Sequence, residues 1–240
     1  MKVYAYCLTT LEPNTPADLT GLFAQPVYTL SKNRITALIS AVPEASVAVS
    51  KHNVLTHQRV VAAVLEWTTP LPFRFGTVVT EAQLTSYVEA RQEALLQKLA
   101  AVEGCVEMSV KVIWEKVKRD SHAGGELEPS AGPGTTFLRA KSKALIGSQD
   151  LAGAADDLAK WLKNQLESFV RDTRIAVRPA HRLVIAADYL VERTGLESFR
   201  LAVEKVTMER PDLHFLASGP WPPYSFANID LEFKSQFGVS

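Results

Sequence analysis

The run Gly219-Pro220-Trp221-Pro222-Pro223-Tyr224-Ser225-Phe226 limits the fold more than any other stretch of the chain. Three prolines within four residues remove backbone donors and fix φ. The run is therefore predicted to be extended and polyproline-like, neither helix nor central strand. It also carries Trp221, Tyr224 and Phe226, an apolar area too large to leave on a mobile tail in water. An upstream run, Pro70-Leu71-Pro72-Phe73-Arg74-Phe75-Gly76-Thr77, repeats the combination. Two roles are open for such segments: clamped onto the chain's own folded surface, or offered to a partner.

At 240 residues the chain can bury one large core or two modest ones. Lys plus Arg and Asp plus Glu both number 26, so the net charge is zero and no basic field draws nucleic acid or an anionic membrane. Cys7 and Cys105 form no C-x-x-C pair and sit in separate apolar runs, as two reduced core thiols would. Met1-Lys2 leads straight into an alternating strand, and no apolar run approaches the roughly 20 residues that span a bilayer. A cytosolic protein is expected.

Lys2 to Leu8 reads as an interior strand, and Val27 to Leu30 with Arg34 to Ser40 as a hairpin turning at Ser31-Lys32-Asn33. Ser50 is the expected N-cap of a helix with Val54, His57, Val61, Val64 and Leu65 on one stripe. Thr80-Glu81-Ala82-Gln83 has the form of a capping box opening a helix striped by Leu84, Val88, Leu95, Leu99 and Val102 and ended by Gly104. In the following strand Val106, Met108, Val110, Val112 and Trp114 form the core face, with Glu107, Ser109, Lys111 and Glu115 on a wetter one. Helices are predicted at Thr135 to Ile146 and at Leu151 to Val170, the latter striped by Leu151, Ala155, Leu158, Leu162 and Phe169. Strands follow at Arg174 to Arg178, Leu183 to Val191 and Leu213 to Ser218, with a helix capped by Thr194-Gly195-Leu196-Glu197 before the last. The expected fold class is α+β in two domains. A ferredoxin-like antiparallel sheet with helices on one face occupies 1–118, and 119–133 is a linker or long loop. A smaller α+β unit occupies 134–240 and ends in the extended tail 219–240.

Chemistry has few footholds. His52, His122, His181 and His214 are scattered without metal-ligand spacing, and no metal or cofactor is indicated. There is no G-x-S-x-G elbow, no phosphate loop with its lysine and no recognisable triad, so no catalytic residue is assigned and no enzyme is expected. His57 and Arg91 sit within apolar helical stripes, either as a polar pair at a cleft or as a satisfied buried histidine and an arginine reaching the rim. Arg74, between Phe73 and Phe75, suits stacking on a ring while forking onto a carboxylate. Phe73, Arg74, Phe75, Trp221, Tyr224 and Phe226 are the candidates for partner binding or domain clamping.

The PFRFGT and GPWPPYSF elements occur with Val3-Tyr4-Ala5-Tyr6, Arg34 to Ser40, His57, Val106 to Trp114 and Gly134 to Lys141, in that order. Together they resemble the GvpF/GvpL family of gas vesicle proteins. That resemblance implies an accessory component of gas vesicles that binds the small hydrophobic shell subunit GvpA, prevents its aggregation and assists nucleation and assembly. It further implies contacts with other accessory gas vesicle proteins and residence at the vesicle. The competing expectation is a ferredoxin-like small-ligand-binding or enzymatic protein with a cleft at the domain junction and His57, Arg74 and Arg91 as its polar groups.

Overall fold

β1 (Lys2–Thr9) is the strand around which the first sheet is built. The computed structural model describes residues 1–10, 19–114, 153–179 and 183–229. From Val3 to Thr9 every side chain of β1 is buried, which demands cover on both faces and neighbours on both edges. One edge takes β3 (Ile35–Ala41), antiparallel, with a register shift between Ala5 and Cys7. The other takes β5 (Val78–Thr80) against Lys2 to Tyr4 and the short β4 (Leu71–Pro72) against Cys7 and Leu8. β2 (Val27–Lys32) adds outside β3. Its ladder runs on to Lys32↔Ile35, so the turn is Asn33-Arg34, one step beyond the position predicted, with Asn33 taking φ 54°.

α1 (Lys51–Leu65) starts where predicted, the Ser50 hydroxyl accepting from the Asn53 N–H at 3.1 Å. Val60, Val61 and Val64 pack with Tyr4, Tyr6 and Leu38 in the core, whereas Val54 of the predicted stripe is exposed. The capping box forms as expected, Thr80 and Gln83 exchanging bonds at the start of α2 (Glu81–Ala90). The single long helix predicted beyond it is two. The backbone leaves helical geometry at Arg91 (φ −122°, ψ 17°) before α3 (Gln92–Val102), and the whole predicted stripe is nevertheless buried.

β6 (Cys105–Trp114) departs from the sequence expectation. A ferredoxin-like order would join it to the first sheet. It lies instead in a second sheet of order β7-β8-β6-β9, where β7 is Asp172–Pro179, β8 Leu183–Glu192 and β9 His214–Trp221. β7 and β8 are antiparallel from Asp172↔Leu190 to Pro179↔Leu183. α4 (153–166) buries Ala155, Leu158, Leu162 and Leu166, while Phe169 of its predicted stripe is exposed in a following 3-10 turn. α5 (Leu196–Glu209) buries Phe199, Val203 and Val206. Its N-cap is Gly195 without a side-chain bond, because Arg193 to Gly195 form a 3-10 turn and carry Thr194 out of capping position.

The architecture is thus α+β with antiparallel pairing, as expected. The chain divides into one compact unit of Met1–Glu107 with Pro220–Ser240 and another of Met108–Gly219. The break near Lys118, the linker 119–133, the helix Thr135 to Ile146 and Leu151 lie outside the described residues. The tail, expected with the C-terminal unit, groups with the first. Nor is it wholly extended: Pro220 and Trp221 end edge strand β9, and Tyr224–Ala227 form a short helix, α6, directly after Pro223. Prolines are tolerated at a helix start because N–H groups there need no helical acceptor, and the Pro223 carbonyl accepts from Phe226 and Ala227.

Gly21 has an ordinary φ of −95°, yet a Cβ there would fall on Tyr6 Oη and 3.1 Å from Ser40 Oγ. Tyr6 cannot withdraw, being fully buried and hydrogen-bonded. Gly21→Ala is expected to lower stability by about 1–3 kcal/mol in denaturant unfolding, and by clearly less in a Tyr6→Phe background, where the clashing oxygen is gone.

Candidate functional site

Tyr4 and Tyr6 point from β1 into the core beneath α1, and each brings a hydroxyl that needs partners. The Gly76 N–H donates to Tyr4 Oη at 2.9 Å, and the same oxygen lies 3.0 Å from His57 Nδ1. Which of the two donates is set by the imidazole tautomer, since the phenol oxygen can accept a second proton as well as give its own. Among the described residues no partner meets Nε2 with hydrogen-bond geometry. The Phe73 carbonyl lies close enough to favour the charged ring slightly, but burial outweighs it and lowers the His57 pKa from 6.5 to about 4. Burial also holds the Tyr4 phenol well above the usual tyrosine range. The pair is neutral at physiological pH, a structural hydrogen bond rather than a proton-transfer couple.

Tyr6 Oη accepts from the Leu22 N–H at 2.8 Å and shares a proton with Ser40 Oγ at 2.9 Å. Its ring stacks on His57, with centroids 5.8 Å apart and planes at 26°. Phe75 meets Tyr4 at 6.2 Å and His57 at 6.0 Å, and Tyr224 lies 6.0 Å from His57. The two proline-framed runs thus converge on one histidine. Phe73 is fully buried and its N–H donates to the Tyr6 carbonyl at 2.9 Å. Arg74 has an exposed side chain, and its carbonyl accepts from the Thr77 N–H and hydroxyl, closing the loop. Arg91 is not buried in a stripe. It occupies the joint between α2 and α3, exposed, with its guanidinium 5.2 Å above the Tyr87 ring.

The tail is held by two residues that the sequence did not single out. Glu107, placed by alternation on a wetter face, is only 5% exposed. Its carboxylate accepts from the Ser225 N–H at 2.7 Å and the Ser225 hydroxyl at 3.0 Å, at the start of α6. Lys98 of α3 donates to the Asn228 carbonyl at 2.5 Å, where the chain leaves α6 with φ 42°. A carboxylate on free N–H groups and an ammonium on a free carbonyl satisfy both ends of the short helix. Phe226 and Ala227 are buried between them, and Ile229 is buried just beyond. The outer rings differ: Trp221 is 39% and Tyr224 36% exposed. Desolvation first, then Cys7, Tyr4 and Glu107, raise the Tyr224 phenol above its ordinary value, so it stays neutral. A hint of Glu107 was present in the sequence, since an acid between Val106 and Met108 interrupts an otherwise apolar strand. Its partner, 118 residues away, was not.

Cys7 and Cys105 are buried free thiols, and burial raises Cys7 far above the thiolate range. Among the described residues no group of His, Cys, Asp and Glu is placed to hold a metal ion, and no helix is long and apolar enough to cross a membrane.

His57 titrates near 4 when folded and near 6.5 when unfolded, so the unfolded chain binds the extra proton. Stability is complete above pH 6.5 and falls as pH drops toward 4, by roughly 3 kcal/mol at most from this group. Subtracting the curve of His57→Gln, which cannot titrate, should isolate that loss, and a flat difference would mean an unperturbed histidine. Glu107→Ala should speed amide exchange across residues 224–229 at least tenfold while leaving β1 and β3 protected, since it strips the acceptor from Ser225.

The family model described as "Gas vesicle synthesis protein GvpL/GvpF" matches residues 2–228. Gas vesicle protein F1 of Halobacterium salinarum is 26% identical over 99% of this chain and 98% of its own length. Gas vesicle protein F of a Streptomyces species is 27% identical over 94% of this chain and 99% of its own. In fold, the chain is similar to the crystal structure of GvpF from an Anabaena species, with TM-score 0.79 and 19% identity over 95% of this chain and 97% of that one. The structure of GvpF from Microcystis aeruginosa gives TM-score 0.74 at 20% identity, over 95% and 99% of the respective chains.

Proposed function

The chain belongs to the GvpL/GvpF family of gas vesicle synthesis proteins, which makes it an accessory gas vesicle protein, and from that premise we propose that it binds the shell subunit GvpA and keeps it from aggregating before it enters the growing wall. The observation that carries this reading is the asymmetry of the tail. Phe226 is buried and the backbone around it is fastened by Glu107 and Lys98, while Trp221 and Tyr224 keep over a third of their surface in water.

Rings mounted on a fixed backbone lose little conformational freedom when a partner covers them, so more of the burial energy appears as affinity. A hydrophobic subunit offers the complementary surface, and neutral Tyr224 together with zero net charge sets no electrostatic barrier against it. Shielding that apolar surface until assembly requires binding without turnover, which suits a site made of rings. Contacts with other accessory gas vesicle proteins belong to the same reading, with the vesicle as the place of action.

Co-purification with GvpA tests it. The intact chain should retain the subunit in solution. A Trp221→Ser, Tyr224→Ser variant with unchanged circular dichroism should retain at least tenfold less, the usual scale for losing two aromatic anchors. Full retention by the variant would move the client surface elsewhere, and no retention by either form would remove the chaperone-like role.

A further inference from the structure

α1 carries no acidic residue, and its outward stripe reads Lys51, Leu55, Arg59 at one-turn intervals, with Leu55 half exposed at 50%. Exposed Val54 lies beside Leu55. The 3-10 turn Leu22–Ala24 packs against the same helix and presents Phe23 to solvent. That turn is strained: Phe23 and Ala24 take φ 54° and 53°, a left-handed conformation that side chains with a Cβ resist. Its base is held from several directions. Leu22 N–H bonds Tyr6, Gly21 N–H bonds the Gln25 carbonyl, and the Arg59 guanidinium donates to the Thr20 carbonyl at 2.8 Å. The strain keeps a phenylalanine ring outside, on a turn that packs against the helix carrying Leu55.

α5 shows the complementary pattern. Its outward stripe reads Glu197, Leu201, Glu204, Met208, with Leu201 57% and Met208 79% exposed. Arg200 lies 3.7 Å from Glu197, and Lys205 3.8 Å from Glu209, so the cations on this helix are engaged by its own acids. One helix thus offers an apolar residue between cations, and the other offers apolar residues between carboxylates. With a net charge of zero, long-range repulsion between copies is absent.

We propose that this chain self-associates head to tail, the α5 stripe of one copy seating on the α1 and Phe23 surface of the next, with Lys51 and Arg59 against Glu197 and Glu204 and with Leu201 and Met208 against Leu55 and Phe23. The two surfaces differ, so the contact is heterologous. A bound pair leaves one face of each kind unused, and assemblies grow rather than stop at a symmetric pair. The inference is independent of the aromatic tail and of GvpA.

Two single-face variants of the full chain decide it, followed by sedimentation velocity over a wide concentration range. Wild type should show species larger than a dimer that increase with concentration and recede at high salt, as charge-flanked contacts do. Leu55→Asp and Leu201→Asp, each with unchanged circular dichroism, should be monomeric alone, because each lacks one face. Mixed, they should form a one-to-one complex and nothing larger, since only one productive contact remains. Lys51→Glu should weaken association at least tenfold, and pairing it with Glu204→Lys in the other copy should restore most of the loss. A wild type that stays monomeric throughout overturns the proposal, as does a symmetric dimer untouched by Leu201→Asp. A monomer whose Leu55→Asp form loses GvpA would also overturn it and give the α1 surface to the shell subunit.

Discussion

Two phenol hydroxyls buried on a single strand set the conditions that the first unit has to meet. Each would cost a few kcal/mol if left without a partner in the core, and neither can reach water from β1. Tyr4 is answered by Gly76 and His57, and Tyr6 by Leu22 and Ser40. Those four partners lie on the loop after β4, on α1, on the Leu22 turn and on β3. The hydroxyls therefore fix the relative positions of these parts more narrowly than apolar packing could, because a hydrogen bond tolerates only a few tenths of an ångström. The close approach of Gly21 to Tyr6 follows from the same constraint, since the N–H that Tyr6 accepts is that of the next residue.

His57 shows the cost of such a network. Its Nδ1 pairs with Tyr4, and its Nε2 has no partner with good geometry among the described residues. Aromatic rings enclose it on several sides, one contributed by the C-terminal tail. The histidine is a polar pin in an apolar setting, kept uncharged by desolvation. The tail rests on this pinned core. It is fastened by a carboxylate at one end of α6 and an ammonium at the other, so part of its aromatic surface can stay outside without the segment being loose.

How far the sequence could be read depended on whether the deciding contact was local. The Ser50 cap, the Thr80 to Gln83 box, the buried stripe from Leu84 to Val102 and the core face of β6 from Val106 to Val112 all involve residues within a few positions of their neighbours in the pattern, and all are found. Where a neighbour in space overrode the local pattern, expectation and structure part. Val54 and Phe169 fit helical stripes that run past the edge of the core. Thr194 has capping chemistry but is drawn into a 3-10 turn. Glu107 alternates onto a wetter face, which the tail then covers. β6 has the pattern of a strand in either sheet, and nothing within it says which.

The sequence by itself determined the family, the α+β class and the capped starts of α1 and α2. Periodicity, capping and composition are short-range properties, and a resemblance in ordered motifs needs no coordinates. Only the tertiary structure decided that the two proline-framed runs meet over His57, that the tail groups with the first unit, and that Phe73 and Phe226 are buried while Trp221 and Tyr224 remain partly exposed. These outcomes depend on contacts between segments far apart in sequence, and those of the tail close loops of more than a hundred residues. The free energy that closes them comes from burial and hydrogen bonds between residues whose proximity no local pattern encodes.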